Sequence, residues 1–330
     1  MRAMLYSRFG SASDVLETAT VDTPTPAAGE VLVRLAYSGV NPSDAKARAG
    51  TRPGVIKPVF DQIIPHSDGA GVIDAVGAGI ASSRIGQRVW IYNGQWQRAF
   101  GTAADYIALP ADQAVPLADD ISLEVGATLG IPGLTAAQTV FGGGDVTGKT
   151  LLISGGAGSV GHNAVQLAKW GGATVIATAS AGAANRVLAA GADHVLDYAD
   201  SKLAEKVLDL SNGGIDRAIE VEFGTNAVLL AEVMKPLGTI ATYGSGKSMT
   251  PELPFGPYLF KALKIDITLI YILPASERST AIARLNQALS NGALNPEIAT
   301  TYPLESCAAA QDAVMTPGRA GAVLLDLQSV

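Results

Sequence analysis

From about residue 150 onward, short runs of aliphatic and β-branched residues alternate with stretches whose apolar positions recur at helical spacing. The apolar runs fall near residues 150–154, 174–179, 194–198, 215–221, 239–244 and 266–273, with helical stretches such as 184–190 and 201–210 between them. Crossovers of this length join parallel strands and lay helices on both faces, so the pattern predicts a six-stranded, doubly wound parallel sheet. At the end of the third crossover, 225–236, Lys235-Pro236-Leu237-Gly238 reads as a helix stop before a strand Thr239-Ile240-Ala241-Thr242. Residues 1–120 follow another rhythm: short alternating strands such as Glu30-Val31-Leu32-Val33-Arg34-Leu35, many Gly and Pro, and long irregular connections. That half is expected to be a β-rich, barrel-like domain. Beyond residue 270 an amphipathic helix over 279–290 precedes Ala320-Gly321-Ala322-Val323-Leu324-Leu325-Asp326-Leu327, a buried-looking strand expected to rejoin the first domain. The change of pattern sets the boundary near 120–126.

The first strand of the alternating half, Thr150-Leu151-Leu152-Ile153, runs into Gly156-Ala157-Gly158-Ser159-Val160-Gly161 and then a helical stretch from Ala164. In such a turn one glycine makes the tight bend, one lets backbone approach a pyrophosphate, and one lets helix pack on strand. The helix N-terminus adds unpaired N–H groups for anionic oxygens. A plain βα turn is the competing reading. An NAD-selective site places a carboxylate about 20 residues beyond the glycines, on the ribose 2′-hydroxyl. Residues 162–192 contain no Asp or Glu, and the second strand, Thr174-Val175-Ile176-Ala177-Thr178, ends in Ala179-Ser180. Ser180 as hydrogen-bond partner and Arg186 as counter-charge suit the extra phosphate of NADP, with a solvated helix cation the alternative for Arg186. Tyr243, Gly244 and Ser245 follow a later strand at its carboxyl end, where ligands of open α/β sheets gather, and are candidate cofactor contacts or a structural turn.

Composition narrows the classes. The 330 residues are 48% hydrophobic, enough for two globular domains with substantial cores. With 23 basic against 30 acidic residues the net charge is −7, and no basic patch is visible, so no nucleic acid or anionic membrane partner is expected. No apolar run reaches spanning length and no signal peptide is recognisable, which makes the cytoplasm the default location. The single cysteine, Cys307, excludes internal disulfides and reads as a small core residue.

Taken together, Gly39-Val40-Asn41-Pro42-Ser43-Asp44, Pro65-His66-Ser67-Asp68-Gly69-Ala70-Gly71, Gly130-Ile131-Pro132-Gly133-Leu134-Thr135-Ala136 and the glycine turn resemble the zeta-crystallin-like NADPH:quinone oxidoreductases, the zinc-free branch of the medium-chain dehydrogenase/reductase superfamily. The resemblance covers essentially the whole chain. It implies an α/β protein in which a GroES-like catalytic domain (1–122, completed by 269–330) is interrupted by a Rossmann NADP-binding domain (123–268). It further implies NADPH as hydride donor, a cleft between the domains and a homodimer. By resemblance, Ala157, Gly158, Ser159 and Val160 meet the pyrophosphate, Ser180 and Tyr198 the adenosine phosphate, and Ile270-Tyr271-Ile272, with Thr135, the nicotinamide end. Gly321-Ala322 stands where the family often has Gly-Lys, which removes one contact.

Related alcohol dehydrogenases polarise a carbonyl with zinc, which needs soft or borderline ligands. Here Asn41 stands in place of a cysteine, Ser67 in place of a histidine with His66 offset by one, and the four-cysteine lobe is missing. No zinc is expected, and one dinucleotide motif leaves no second adenine site for flavin. Without a metal, hydride must go to an acceptor whose developing charge is conjugated, a quinone or an α,β-unsaturated carbonyl. Asn41 and Lys46 are the candidate donors toward the developing oxyanion, with Asp44 as a partner for Lys46. Asn41 also reads as a turn initiator, and Asp44 and Lys46 as a solvated pair on a short helix. Many quinone reductases of the family carry tyrosine at the Lys46 position, whereas Asp44-Ala45-Lys46 is similar to enone and alkenal reductases. The expectation is therefore a quinone reductase, with an enone or 2-alkenal reductase, or an NADPH-binding structural or regulatory protein, as alternatives. Tyr92, Trp96 and Arg98 read as a surface loop or a border of the acceptor cleft.

Overall fold

The computed structural model describes residues 1–51 and 54–328, and the chain divides into two units. The first comprises Met1–Ile131 and Pro296–Val330, the second Pro132–Asn295.

In the first unit, β1 (Arg2–Leu5) and β2 (Glu17–Thr20) form an antiparallel pair. The larger sheet is built from β3 (Glu30–Val40), β4 (Asp68–Val76), β5 (Arg88–Ile91), β6 (Tyr106–Pro110) and β7 (Ala114–Pro116). β3 is its spine, paired antiparallel with both β4 and β6. Its alternating sequence is therefore buried on almost every residue rather than every second one, and two register shifts against β4 accommodate the crowding. Val31, Val33, Leu35, Ile73, Val89, Ile91, Ile107 and Leu109 form the core between the layers.

The second unit holds β8 (Thr150–Ile153), β9 (Thr174–Ala179), β10 (His194–Asp197), β11 (Ile215–Glu220), β12 (Met234–Thr242) and β13 (Lys264–Ile267). All six run parallel in the order β10-β9-β8-β11-β12-β13, the doubly wound sheet that the apolar cadence predicts. Three local expectations change. β12 starts at Met234, through Pro236, because a register shift against β11 and a left-handed Leu237 (φ 65°) absorb the proline. The run Ile270-Tyr271-Ile272 is a single 3₁₀ turn and not strand, because the partner strand β12 ends opposite Ile267. The helix expected over 279–290 starts earlier, as Ala275–Ser290, and packs on the helix Leu134–Phe141 within the second unit.

The chain then returns to the first unit as β14 (Ile298–Pro303) and β15 (Ala322–Asp326). β15 lies antiparallel to β3, with Val323 opposite Val40. The division at 131/132 and 295/296 thus differs from sequence boundaries at 122/123 and 268/269: the helix Ala275–Ser290 buries Ala281, Leu285, Ala288 and Leu289 in the second unit.

Candidate functional site

In the second unit the loop between β8 and the helix Ser159–Trp170 carries the glycine turn. The tight bend belongs to Gly155 (φ +67°), one position before the motif. A Cβ on Gly156 would stand 3.0 Å from both Ala177 and Val187, and its N–H donates to the Thr178 carbonyl at 2.8 Å, so this glycine seats the loop on β9. A Cβ on Gly161 would stand 2.2 Å from the Gly155 oxygen, so the helix approaches its own loop only because side chain is missing there. Gly158, the helix N-cap, is exposed and nearly open around its Cα. Ala157, Ser159 and Val160 flank it at the helix N-terminus. The result is a glycine turn that leads directly into a helix N-terminus, an arrangement that fits a diphosphate.

β9 ends at Ala179, and Ser180 follows it exposed, with no carboxylate at that position. Arg186, on the helix Ala184–Ala189, donates from Nη2 to the Ala157 carbonyl, which lays the guanidinium over the glycine loop. Tyr198 is 60% exposed, its N–H directed at the Ala179 carbonyl at 3.4 Å. The sequence search missed one acid at this corner: Asp197 pairs in register with Ala179, and its Oδ1 accepts from Ala199 N–H at 2.9 Å.

The loop after β12 is largely occupied with itself. Tyr243 N–H donates to the Glu220 carbonyl, Gly244 presents its carbonyl to Phe223 N–H, and Ser245 Oγ accepts from Gly224 N–H and donates to the Ser248 carbonyl. This supports the structural-turn alternative for Ser245. Behind the glycine loop stands Glu220, 1% exposed, whose carboxylate accepts from Asn226 Nδ2 at 3.0 and 3.1 Å; Asn226 also reaches Ser154 Oγ at 3.3 Å. Burial pushes the Glu220 carboxyl up from its ordinary range. Thr135 is buried in its helix, its carbonyl accepting from Thr139 Oγ1. Ile270 is buried, Tyr271 half-buried and Ile272 64% exposed.

In the first unit Asn41 follows β3 and caps the helix Pro42–Ala49. Asp44 Oδ2 accepts from Asn41 N–H at 2.8 Å, the carboxylate half of a capping box, so Asp44 positions Asn41. This replaces the expected Asp44–Lys46 pairing: residues two apart on a helix face different sides, and Lys46 is exposed while Asp44 is 5% exposed. Asn41 Nδ2 donates to Asp68 Oδ2 at 2.8 Å, and Ile131 N–H donates to the same oxygen at 2.8 Å. One amide N–H of Asn41 is thereby spent on Asp68. Asp68 is fully buried, its Oδ1 has no partner among the described residues, and a Cβ on Gly130 would stand 2.1 Å from that oxygen. Burial holds the Asp68 carboxyl well above the usual range.

His66 lies on the other side of Asp68. Its Nδ1 is 3.0 Å from Ser38 Oγ and its Nε2 3.1 Å from Gln311 Nε2 and 3.8 Å from Cys307 Sγ. Arg48 Nε donates to Gln311 Oε1 at 3.0 Å, and Thr102 Oγ1, 2.8 Å from Ser38 Oγ, donates to the Asp68 carbonyl. One assignment satisfies every link: Gln311 donates to Nε2, and His66 donates from Nδ1–H to Ser38, which donates to Thr102. His66 is therefore neutral, and burial lowers its pKa to about 3. Cys307 is buried beside it, its thiol pushed up by burial.

These donors do not fit a zinc centre. Asn41 offers an amide held by a carboxyl, Ser67 a buried hydroxyl, and His66 both ring nitrogens already bonded inside the unit. Among the described residues no group of three or more His, Cys, Asp and Glu could hold a metal ion. Of the loop residues, Arg98 donates to the Asn93 carbonyl and to Gln113 Oε1, Tyr92 is buried, and Trp96 is half-buried.

Comparison with known proteins agrees with this architecture. Residues 27–119 match the alcohol dehydrogenase GroES-like domain and residues 159–287 the zinc-binding dehydrogenase family. The rat quinone oxidoreductase is 28% identical over 330 residues, 98% of this chain and 97% of the relative. The human synaptic vesicle membrane protein VAT-1 homolog is 26% identical over 98% of this chain and 86% of its own length. Among solved structures, an NAD-dependent alcohol dehydrogenase superposes with a TM-score of 0.88 at 27% identity, covering 99% of this chain and 100% of its own. A mycobacterial protein in complex with NADPH does so at 0.85 and 26%, with the same coverage. With the GroES-like sheet, the six-stranded parallel sheet and full-length relatives in agreement, the chain belongs to the medium-chain dehydrogenase/reductase superfamily as a quinone-oxidoreductase-like oxidoreductase.

Proposed function

We propose that this oxidoreductase uses NADPH to reduce quinones by direct hydride transfer, with neither zinc nor flavin. The observation that carries the reading is the glycine cradle at Ser159 combined with Ser180, not a carboxylate, at the end of β9. Gly156–Gly161 and the helix N-terminus hold the diphosphate, and Ser180, Arg186 and Tyr198 border the adenosine phosphate. Thr135 and Ile270–Ile272 serve the nicotinamide end, while Tyr243 and Gly244 shape the neighbouring loop. When bound, the reduced nicotinamide supplies a hydride. Asn41, aimed by Asp44 and Asp68, offers its remaining amide N–H to the acceptor oxygen that gains charge. Lys46 offers an exposed ammonium, which neutralises that oxygen and delivers the proton that completes the hydroquinone. The donor set at Asn41, Ser67 and His66 supports a metal-free route.

Following NADPH oxidation with 1,4-benzoquinone and with an enone tests the assignment. Faster turnover of the quinone is expected; turnover of saturated alcohols alone would overturn it. Lys46 favours a second reading, reduction of enones or 2-alkenals, because an ammonium suits protonation of an enolate. A homodimer is part of the proposal. β13 is an edge of the parallel sheet, and Ile267 (77% exposed), Ile265 and the neighbouring Phe260 (89%) put apolar surface beside it. No helix among the described residues is long and apolar enough to cross a membrane, and the proposed location is the cytoplasm.

A further inference from the structure

The glycine turn of the second unit is anchored from the strands on both of its sides. On the β9 side Thr178 holds it through uncharged groups: Oγ1 accepts from Gly155 N–H at 3.2 Å and the carbonyl from Gly156 N–H at 2.8 Å. On the β11 side the anchor ends in a carboxyl. Ser154, the residue before the bend, donates its N–H to the Ile219 carbonyl at 2.9 Å, and the next residue of β11 is Glu220, 1% exposed. Donors converge on it: Glu222 N–H on Oε1, Asn226 Nδ2 on both oxygens, and the Ser154 hydroxyl. Asn226 Nδ2 also reaches Ser154 Oγ at 3.3 Å, which closes a ring of bonds through Ser154, Glu220 and Asn226.

What this ring fixes is the bend. Val221 follows Glu220, and its Cγ1 would stand 3.2 Å from a Cβ on Gly155. Gly155 is thus confined between Ser154 and Val221 at φ +67°. Its carbonyl accepts from Gly158 N–H at 2.9 Å, and that same oxygen would lie 2.2 Å from a Cβ on Gly161. A displacement at Ser154 therefore passes through one tightly packed carbonyl to the two glycines that lead into the helix N-terminus. A buried carboxyl costs free energy, and by charge alone it repels a diphosphate, so neither burial nor charge accounts for an acid at this place.

We propose, resting on the NADPH reading, that Glu220 is the positioning residue of the diphosphate turn: through Ser154, Asn226 and Val221 it aims the glycine loop and so sets the affinity for the dinucleotide.

Charge and geometry predict opposite signs, which makes the role measurable. Removing a negative charge behind the loop tightens an anionic ligand, whereas misplacing the turn weakens it. In Glu220→Gln an amide stands against the Asn226 amide, donor to donor; in the double variant Glu220→Gln with Asn226→Asp, donor and acceptor exchange places and the total charge is that of the wild type. Calorimetric titration of the full chain with NADP⁺ and with NAD⁺ is expected to show binding about tenfold weaker in Glu220→Gln, recovered to within about threefold in the double variant. In turnover, KM for NADPH should rise by the same factor in Glu220→Gln while kcat at saturating NADPH changes less than about twofold, a split that general loss of structure would not produce. Ser154→Ala, which alters no charge and cuts the hydroxyl link to the bend, should weaken both cofactors at least about threefold.

Unchanged or tighter binding in Glu220→Gln overturns the proposal, as does a double variant no better than the single one, or a fall in kcat at unchanged KM. Where Glu220→Gln does not fold, Ser154→Ala decides, and an unchanged Kd there overturns it. A chain that shows these binding changes but oxidises NADPH with neither a quinone nor an enone upholds Glu220 and overturns the reductase reading. A wild type that binds neither cofactor at millimolar concentration overturns both.

Discussion

Replacing His66 by asparagine should change how the first unit responds to acid. The imidazole bridges Gln311 and Ser38 only while Nε2 can accept, and burial lowers its pKa to about 3 against 6.5 in the unfolded chain. Below pH 6.5 the unfolded state takes up a proton that the folded state refuses, so stability present at neutral pH is lost as pH falls. Each pH unit costs about 1.4 kcal/mol, which makes the His66 contribution about 2 kcal/mol between pH 6.5 and pH 5. Asp68 and Glu220 act with the opposite sign, because their raised carboxyls hold a proton in the folded state that the unfolded state has released. The wild-type slope is thus a partial cancellation, and only the difference from the variant isolates His66. Asparagine tolerates the positive φ at this position (75°) and keeps an amide for the network, but leaves part of the ring volume empty. We expect His66→Asn to be about 1–3 kcal/mol less stable at pH 7.5, with the deficit shrinking by about 2 kcal/mol at pH 5. Urea unfolding on a Trp170→Phe background, where the remaining Trp90 and Trp96 report the first unit, measures both values. A deficit constant across that pH range would refute the neutral, Nδ1-protonated assignment and the hydrogen-bond chain built on it.

The cofactor assignment makes two further predictions. Ser180→Asp should raise the Kd for NADPH about 10–100-fold, since a carboxylate some 5 Å from a 2′-phosphate costs about 1–2 kcal/mol in water and a hydrogen bond is lost besides; NADH binding should hold or improve, as titration will show. Gly161→Val forces a side chain into the Gly155 carbonyl, 2.2 Å from the ideal Cβ, and should abolish detectable binding of both cofactors while the circular dichroism of the first unit's sheet persists. Lys46→Met should lower kcat for quinones and enones by at least tenfold, and unchanged kcat and KM would remove Lys46 from the reaction. Ile267→Lys at the sheet edge should shift light scattering from dimer to monomer.

What the sequence makes legible is what repeats or stays local. The cadence of apolar runs discloses the parallel sheet because the inner strands β8, β9 and β11 are buried along most of their length and each crossover returns to the same layer. The glycine turn is visible because strand, bend and helix are contiguous. Boundaries are harder: the apolar stripe Ala281, Leu285, Ala288 and Leu289 announces that a helix packs, but not that it packs on Leu134–Phe141. Lys235-Pro236-Leu237-Gly238 reads as a helix stop because the bulge that lets β12 run through Pro236 is a property of the pairing with β11.

The proposed catalytic side is the least legible, for a related reason. Asn41, Asp68 and Gly130 are far apart in the chain and are joined only when β3 and β4 align Gly39 with Asp68. Each is an ordinary residue of a turn or strand end until then. Asp68 is also where local rules fail: a carboxyl, fully buried, with one oxygen unpartnered among the described residues and pressed against a glycine. Such a group destabilises the fold unless protonated, and its visible returns are the fixed direction of the Asn41 amide and the anchored Ile131 N–H. If that direction is what the buried carboxyl maintains, Asp68→Asn, which keeps size but offers either an acceptor or a clashing amide to Asn41, should lower kcat more than it lowers stability. A variant with full turnover would show that Asp68 serves the packing of β4 alone.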